Sequence, residues 1–139
     1  MLLTPTEPEV SPPRSRPSWR DKFKVAFRGL KFGIRGHSSF AVHFFFTALV
    51  IAAGIVLQCE LWEWCALIAC IGFVLTAELF NSAIETLFRG LDETTRERSW
   101  QALDIAAGAV LMASITASLI GSLILLNRLA VLLNFSFPF

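Results

Sequence analysis

The stretch from Leu61 to Phe88, LWEWCALIACIGFVLTAELFNSAIETLF, decides the fold. As a helix it is long enough to cross about 30 Å of hydrocarbon, yet Glu78, Asn81, Ser82 and Glu85 interrupt its last third. Ionisable groups at membrane depth cost roughly 2.5–3.5 kcal/mol each on insertion scales, so they persist where they line a polar site. At about 100° per residue, Glu78, Asn81 and Glu85 share one narrow face over roughly 10 Å of helix. Two carboxylates and an amide facing one partner suit a cation held by hard oxygen ligands, or a general base beside one. The plainer alternative is a helix leaving the bilayer, with Glu85 and Arg89 paired at i, i+4 in water. That alternative gives no reason for Glu78 and Asn81 to sit beside Leu75, Leu79 and Phe80.

Two further apolar spans flank this one, at about 40–57 and 102–126, with the central span at about 61–88. The chain has 139 residues, is 55% hydrophobic and has a mean hydropathy of +0.62 with a formal charge of only +1, which reads as one small all-α integral membrane domain. Of its twelve basic residues, eight lie between Arg14 and Arg35, ahead of the first span. By the positive-inside rule the N-terminus is cytoplasmic, and three spans then put the C-terminus outside. The connection Gln58-Cys59-Glu60 has no Lys or Arg. The next one, about 89–101, carries Arg89, Arg96 and Arg98, in keeping with a cytoplasmic loop.

Residues 1–18, with five prolines and no apolar periodicity, have the composition of a disordered tail, and 128–139 form a short C-terminal tail. Cys59, Cys65 and Cys70 have neither zinc nor CxxC spacing and read as small buried apolar residues. The chain contains no GxGxxG and no GxxxxGK[ST], so a nucleotide must be held by other means.

From Trp19 to Ile34 apolar residues recur at three- and four-residue steps, with Arg20, Lys24, Arg28, Lys31 and Arg35 between them, the pattern of an interfacial amphipathic helix. Ser18 is its expected N-cap, with Asp21 three residues on. Such a helix is either a basic anchor on anionic lipid or a lid whose cations meet phosphate oxygens. Arg20, Lys24, Arg28 and Lys31 are the candidates for the second role. Nucleic acid is excluded as a partner by the adjoining membrane spans. His37 and His43 bracket the start of the first span as interfacial histidines, while Trp62, Trp64 and Trp100 suit interfacial belts.

The third span opens with Ala102-Leu-Asp104-Ile-Ala-Ala-Gly108. Asp104 there either favours the helix N-terminus or belongs to a site. The small residues that follow, among them Gly108, Ala113, Ala117 and Gly121, permit close helix contacts. Three helices make a thin wall around Glu78 and Glu85, so the pattern calls for an oligomer.

The run Glu78-Leu-Phe-Asn81-Ser-Ala-Ile-Glu85 is similar to the signature ExxNSAIE of the prokaryotic diacylglycerol kinase family, the small three-span membrane kinases that include undecaprenol kinases. Phe23 to Lys31 and Ala102 to Leu111 support the resemblance, which covers about residues 18–126. It implies an all-helical homotrimer in the bacterial inner membrane, with residues 19–127 as the kinase domain. Each site would move the γ-phosphoryl of ATP to a lipid hydroxyl with Mg2+. It also implies Glu78 as catalytic base with Asn81 in support, Glu85 on the metal, and Asp104 near the nucleotide. The departures are His37, where the family usually has a second metal-binding glutamate, Leu103, where it has a phosphate-contacting lysine, Ala41, where an arginine is common, and Arg89, where the position is acidic. Imidazole is the poorer magnesium ligand, and Arg89 is a candidate replacement for the missing cation. Diacylglycerol is the expected acceptor and undecaprenol the alternative. A catalytically impaired lipid-binding scaffold is the rival reading, while an ion channel or transporter lacks a discontinuous helix or inverted repeats.

Overall fold

The structure is a computed structural model that describes residues 18–35 and 39–134. It has four helices: α1 (Trp19–Arg35), α2 (Ser39–Val56), α3 (Leu61–Arg89) and α4 (Glu93–Leu132). The last three are long and apolar enough to cross a membrane. The all-α reading with one amphipathic and three spanning helices therefore holds. The Pro-rich segment up to residue 17, and His37 with it, lie outside the described residues.

Local chemistry sets the helix ends. At α1 the Asp21 amide donates to Ser18 Oγ (3.3 Å) while the Ser18 amide donates back to the Asp21 carboxylate (3.2 Å). This is a reciprocal capping box with aspartate in the glutamate role. Its aromatic side chains Trp19, Phe23 and Phe27 remain exposed, as befits a helix lying against lipid. The connection between α2 and α3 closes through the amides of Gln58 and Cys59, which donate to the carbonyls of Ile55 and Gly54. Gln58 adopts a left-handed φ of 54°, and the pattern is a Schellman cap with glutamine where glycine is commoner.

α4 is longer than the expected third span at both ends, starting at Glu93 instead of Ala102 and running on to Leu132. Hydropathy marks only the part in contact with lipid, whereas the helix starts where its amides are capped. The Asp92 carboxylate accepts from the Thr95 amide at 3.1 Å. The Thr94 hydroxyl, and then Thr95, hold the Asp92 carboxyl down at about 2, so the cap stays charged. Arg96 turns back onto the carbonyls of Arg89 and Leu91 and lies over the Phe88 ring, tying the end of α3 to the start of α4. Asp104 consequently sits about three turns inside the helix. It is not a helix-start carboxylate, and the expectation that it favours an N-terminus falls away.

The core is the antiparallel pair α3 and α4. Ala106, Ala113 and Gly121 on α4 are buried on one face, two turns or so apart, and Leu67 of α3 is fully enclosed. Small side chains let the two backbones approach, which is how helices associate where lipid is as apolar as leucine. α2 joins this pair at two places. Gly54 lies under the Trp64 indole, so closely that a Cβ would stand 2.8 Å from the ring. Trp64 is thus a packing residue, while Trp62 stays exposed, its Nε1 donating to Glu60. At the other end, Phe40 is buried.

At the Trp64 end a charged cluster closes the bundle. Glu63 is buried, accepts from the Glu60 amide at 2.7 Å and takes a hydrogen bond from Arg128 Nε. The same guanidinium reaches Glu60 at 2.7 Å. Arg128, and to a smaller extent Trp62, hold the Glu60 carboxyl below its ordinary range. Hydropathy alone places Arg128 in a tail; the structure makes it the clamp between the start of α3 and the end of α4.

Two stability outcomes follow from this packing. Gly54→Ala, which drives a methyl into a rigid indole, costs about 1–3 kcal/mol, whereas Gly29→Ala, with nothing within 4 Å of the added methyl, costs nothing. Thermal unfolding in detergent separates the two. Arg128→Leu leaves Glu63 buried without its cation and lowers the unfolding temperature, and adding Glu63→Gln recovers most of the loss, because the penalty lies in the unpaired charge.

Candidate functional site

The polar face of α3 is formed as its spacing requires. Glu78, Asn81 and Ser82 are buried, at 2%, 8% and 1% exposure, and Glu85 is half-buried one turn nearer the helix end. The start of α2 covers Glu78: Ser39 Oγ donates a hydrogen bond to Glu78 Oε1, and His43 Nε2 stands 3.7 Å from Glu78 Oε2. Asn81 Nδ2 donates to Glu85 Oε1 at 3.1 Å, and Arg89 Nη2 lies 3.5 Å from Glu85 Oε2. Gly33 of α1 closes over Leu79, where a Cβ would come within 2.7 Å of the leucine side chain. The absence of a side chain at Gly33 thus brings the amphipathic helix onto α3 beside Glu78.

Of the residues singled out from the sequence, Glu78, Asn81, Glu85 and Arg89 come together. Asp104 is exposed on α4 and makes no ion pair among the described residues. Arg20, Lys24 and Arg28 are exposed along α1, about 20, 14 and 7 Å of helix from the Gly33 contact. His37 falls outside the described residues. Ser39 carries no role in the sequence reading, and His43 appears there only as an ordinary interfacial histidine. A signal for both exists in the sequence: Ser39, His43 and Thr47 are the polar side chains of α2 and recur every four residues, on one stripe.

The two carboxylates differ in setting. Glu78 is enclosed and held by groups from another helix, the arrangement of a base kept in one orientation. Glu85 lies toward the chain connection with an amide and a guanidinium about it. Among the described residues no three His, Cys, Asp or Glu side chains converge on one point. That donor set fits magnesium, which takes one or two carboxylates, keeps waters and binds mainly through substrate phosphates. Ser82 Oγ adds a buried hydroxyl with no hydrogen-bond partner among the described residues, between the two carboxylates in sequence.

Fold and site together define a multi-pass membrane protein with a carboxylate site near one end of its helix bundle. The sequence profile of the prokaryotic diacylglycerol kinase family matches residues 24–125. The chain is 27% identical to the diacylglycerol kinase of Synechocystis sp. over 93% of its own length and 78% of the relative's. It is 30% identical to the undecaprenol kinase of Bacillus subtilis over 77% of its length and 87% of the relative's. No solved structure gives a significant match. The chain belongs to the prokaryotic diacylglycerol kinase family, and with it to the membrane lipid kinases of the diacylglycerol and undecaprenol type.

Proposed function

We propose that the protein transfers the γ-phosphoryl of ATP to the hydroxyl of diacylglycerol, giving phosphatidic acid, with undecaprenol as the alternative acceptor. The observation that carries this reading is the pairing on one face of α3 of an enclosed carboxylate, Glu78, with a second, more accessible one, Glu85, two turns along. Phosphoryl transfer asks chiefly for in-line positioning and for cations that offset charge on the transferred group. Glu78 takes the proton as the lipid O–H bond breaks and the new P–O bond forms; the bond from the γ-phosphorus to the β-phosphate oxygen breaks and ADP leaves. Asn81 holds Glu85 in place, and Glu85 would hold Mg2+. When bound, that ion neutralises charge on the β- and γ-phosphates. Arg89, at the same end of α3, supplies the cation that Leu103 does not, and the α1 cations Arg20, Lys24 and Arg28 offer further phosphate contacts if α1 acts as a lid.

The topology belongs to the same proposal: N-terminus and the 90–92 connection cytoplasmic, C-terminus outside, in the bacterial inner membrane. Its support is charge. Arg128 is the one basic residue among the described residues at the opposite end, whereas Arg89, Arg96, Arg98 and the cations of α1 gather at the Glu85 end. We further propose a homotrimer, in which Asp104, exposed on α4 and in no ion pair among the described residues, is available to the site of a neighbour. The rival scaffold reading rests on His37 and Leu103, but a scaffold has no need of a buried Glu78 oriented by Ser39.

The deciding measurement is phosphate transfer from labelled ATP to diacylglycerol or undecaprenol by protein in lipid vesicles. Product forms only with Mg2+, and Glu78→Gln lowers kcat by about 10²–10⁴. A folded oligomer that yields no product with either lipid favours the scaffold instead. Arg89→Ala raises the KM for ATP several-fold and leaves the KM for lipid unchanged; an unaltered KM for ATP removes Arg89 from the nucleotide site.

A further inference from the structure

Beyond the base itself, α2 presents a second set of groups to the reaction. In this otherwise apolar helix the polar side chains Ser39, His43 and Thr47 lie on one stripe, and the first two meet Glu78 from the same side. An imidazole in a membrane helix is retained where it has a polar task. Ser39 occupies Oε1 of the carboxylate. Oε2 faces His43 Nε2 across 3.7 Å, too far for a direct hydrogen bond but a gap that an oxygen at about 2.8 Å from both atoms would bridge.

His43 has a second surface. It lines a cavity of about 350 Å³ between α2, α3 and α4, with Phe46, Val50, Leu67 and Val74 on its apolar walls. The histidine therefore borders that apolar cavity and, through Nε2, faces the Glu78 carboxylate.

We propose that His43 is a catalytic residue that binds the acceptor hydroxyl: the lipid alcohol oxygen sits between Glu78 Oε2 and His43 Nε2, with the carbons next to it entering the α2–α3–α4 cavity. Ser39 is a positioning residue that fixes the carboxylate so that Oε2 faces the gap. The hydroxyl donates its hydrogen to Oε2 and accepts from the Nε2–H, which leaves its remaining lone pair for the γ-phosphorus. When the P–O bond forms, the proton resides on Glu78, and His43 has gained and lost nothing. This role rests on the kinase reading and on Glu78 as its base.

The test uses full-length protein in lipid vesicles with MgATP and each lipid varied in turn. His43→Leu lowers kcat/KM for the lipid about tenfold, the worth of one hydrogen bond to the reacting oxygen, and leaves the KM for ATP unchanged. His43→Gln, which keeps an N–H near the Nε2 position, restores most of the loss. Wild-type kinetics in His43→Leu, an equal loss for ATP and lipid, or a glutamine variant no better than leucine would each overturn the role.

A readout independent of turnover keeps the two readings apart. The chain has only two histidines, so the His43 imidazole ¹⁵N resonances are identified by their loss in His43→Gln. In Glu78→Gln they shift if the ring faces Glu78. Unshifted resonances overturn the juxtaposition whatever the activity. Shifted resonances in a protein inactive on both lipids overturn the catalytic role through failure of the kinase reading, with the contact itself intact.

Discussion

A carboxylate enclosed in a membrane helix has no water to solvate it, and everything around Glu78 answers to that constraint. It is met by Ser39 and His43, which belong to a different helix. α2 must therefore start where it does, with Phe40 packed in, for Glu78 to be tolerated. Rotating α2 by one residue, about 100°, would carry that stripe away and leave the carboxylate facing Phe40 or Phe44. The functional group and the helix arrangement specify each other.

α3 is held at both ends by polar contacts to different partners. Arg128 of α4 clamps Glu63 and Glu60 at one end, and α2 engages Glu78 about 22 Å away at the other. Between these points the contact with α4 is made of small residues and Leu67. Small residues alone permit sliding and rotation. The charged anchors set the axial register, so that Glu78 turns toward α2 rather than toward lipid. The Glu63–Arg128 cluster thereby bears on the site without belonging to it.

The family relationship and the geometry answer different questions. The relatives bear the names of two lipid kinases, whose acceptors share a hydroxyl and an apolar body. The structure contributes an asymmetry of environment: Glu78 is enclosed among α2 side chains, whereas Glu85 lies near the chain connection with Asn81 and Arg89. The roles proposed for the two carboxylates, base and magnesium ligand, follow that asymmetry within one helix face.

What the sequence determined by itself was whatever depends on local period and on the cost of polarity in lipid. Three spans follow from apolar length, the α1 cap from Ser18 and Asp21, and the convergence of Glu78, Asn81 and Glu85 from helical periodicity. Hydropathy could not show that α4 begins at a capped aspartate in the connection, because capping is a hydrogen-bond property invisible to an apolar average. It misplaced Asp104 for the same reason. The contacts of Ser39, His43, Glu63 and Arg128 required the tertiary structure. Each pairs residues 35 to 65 positions apart on different helices, and such pairs are decided by which faces pack, a property that no single helix carries.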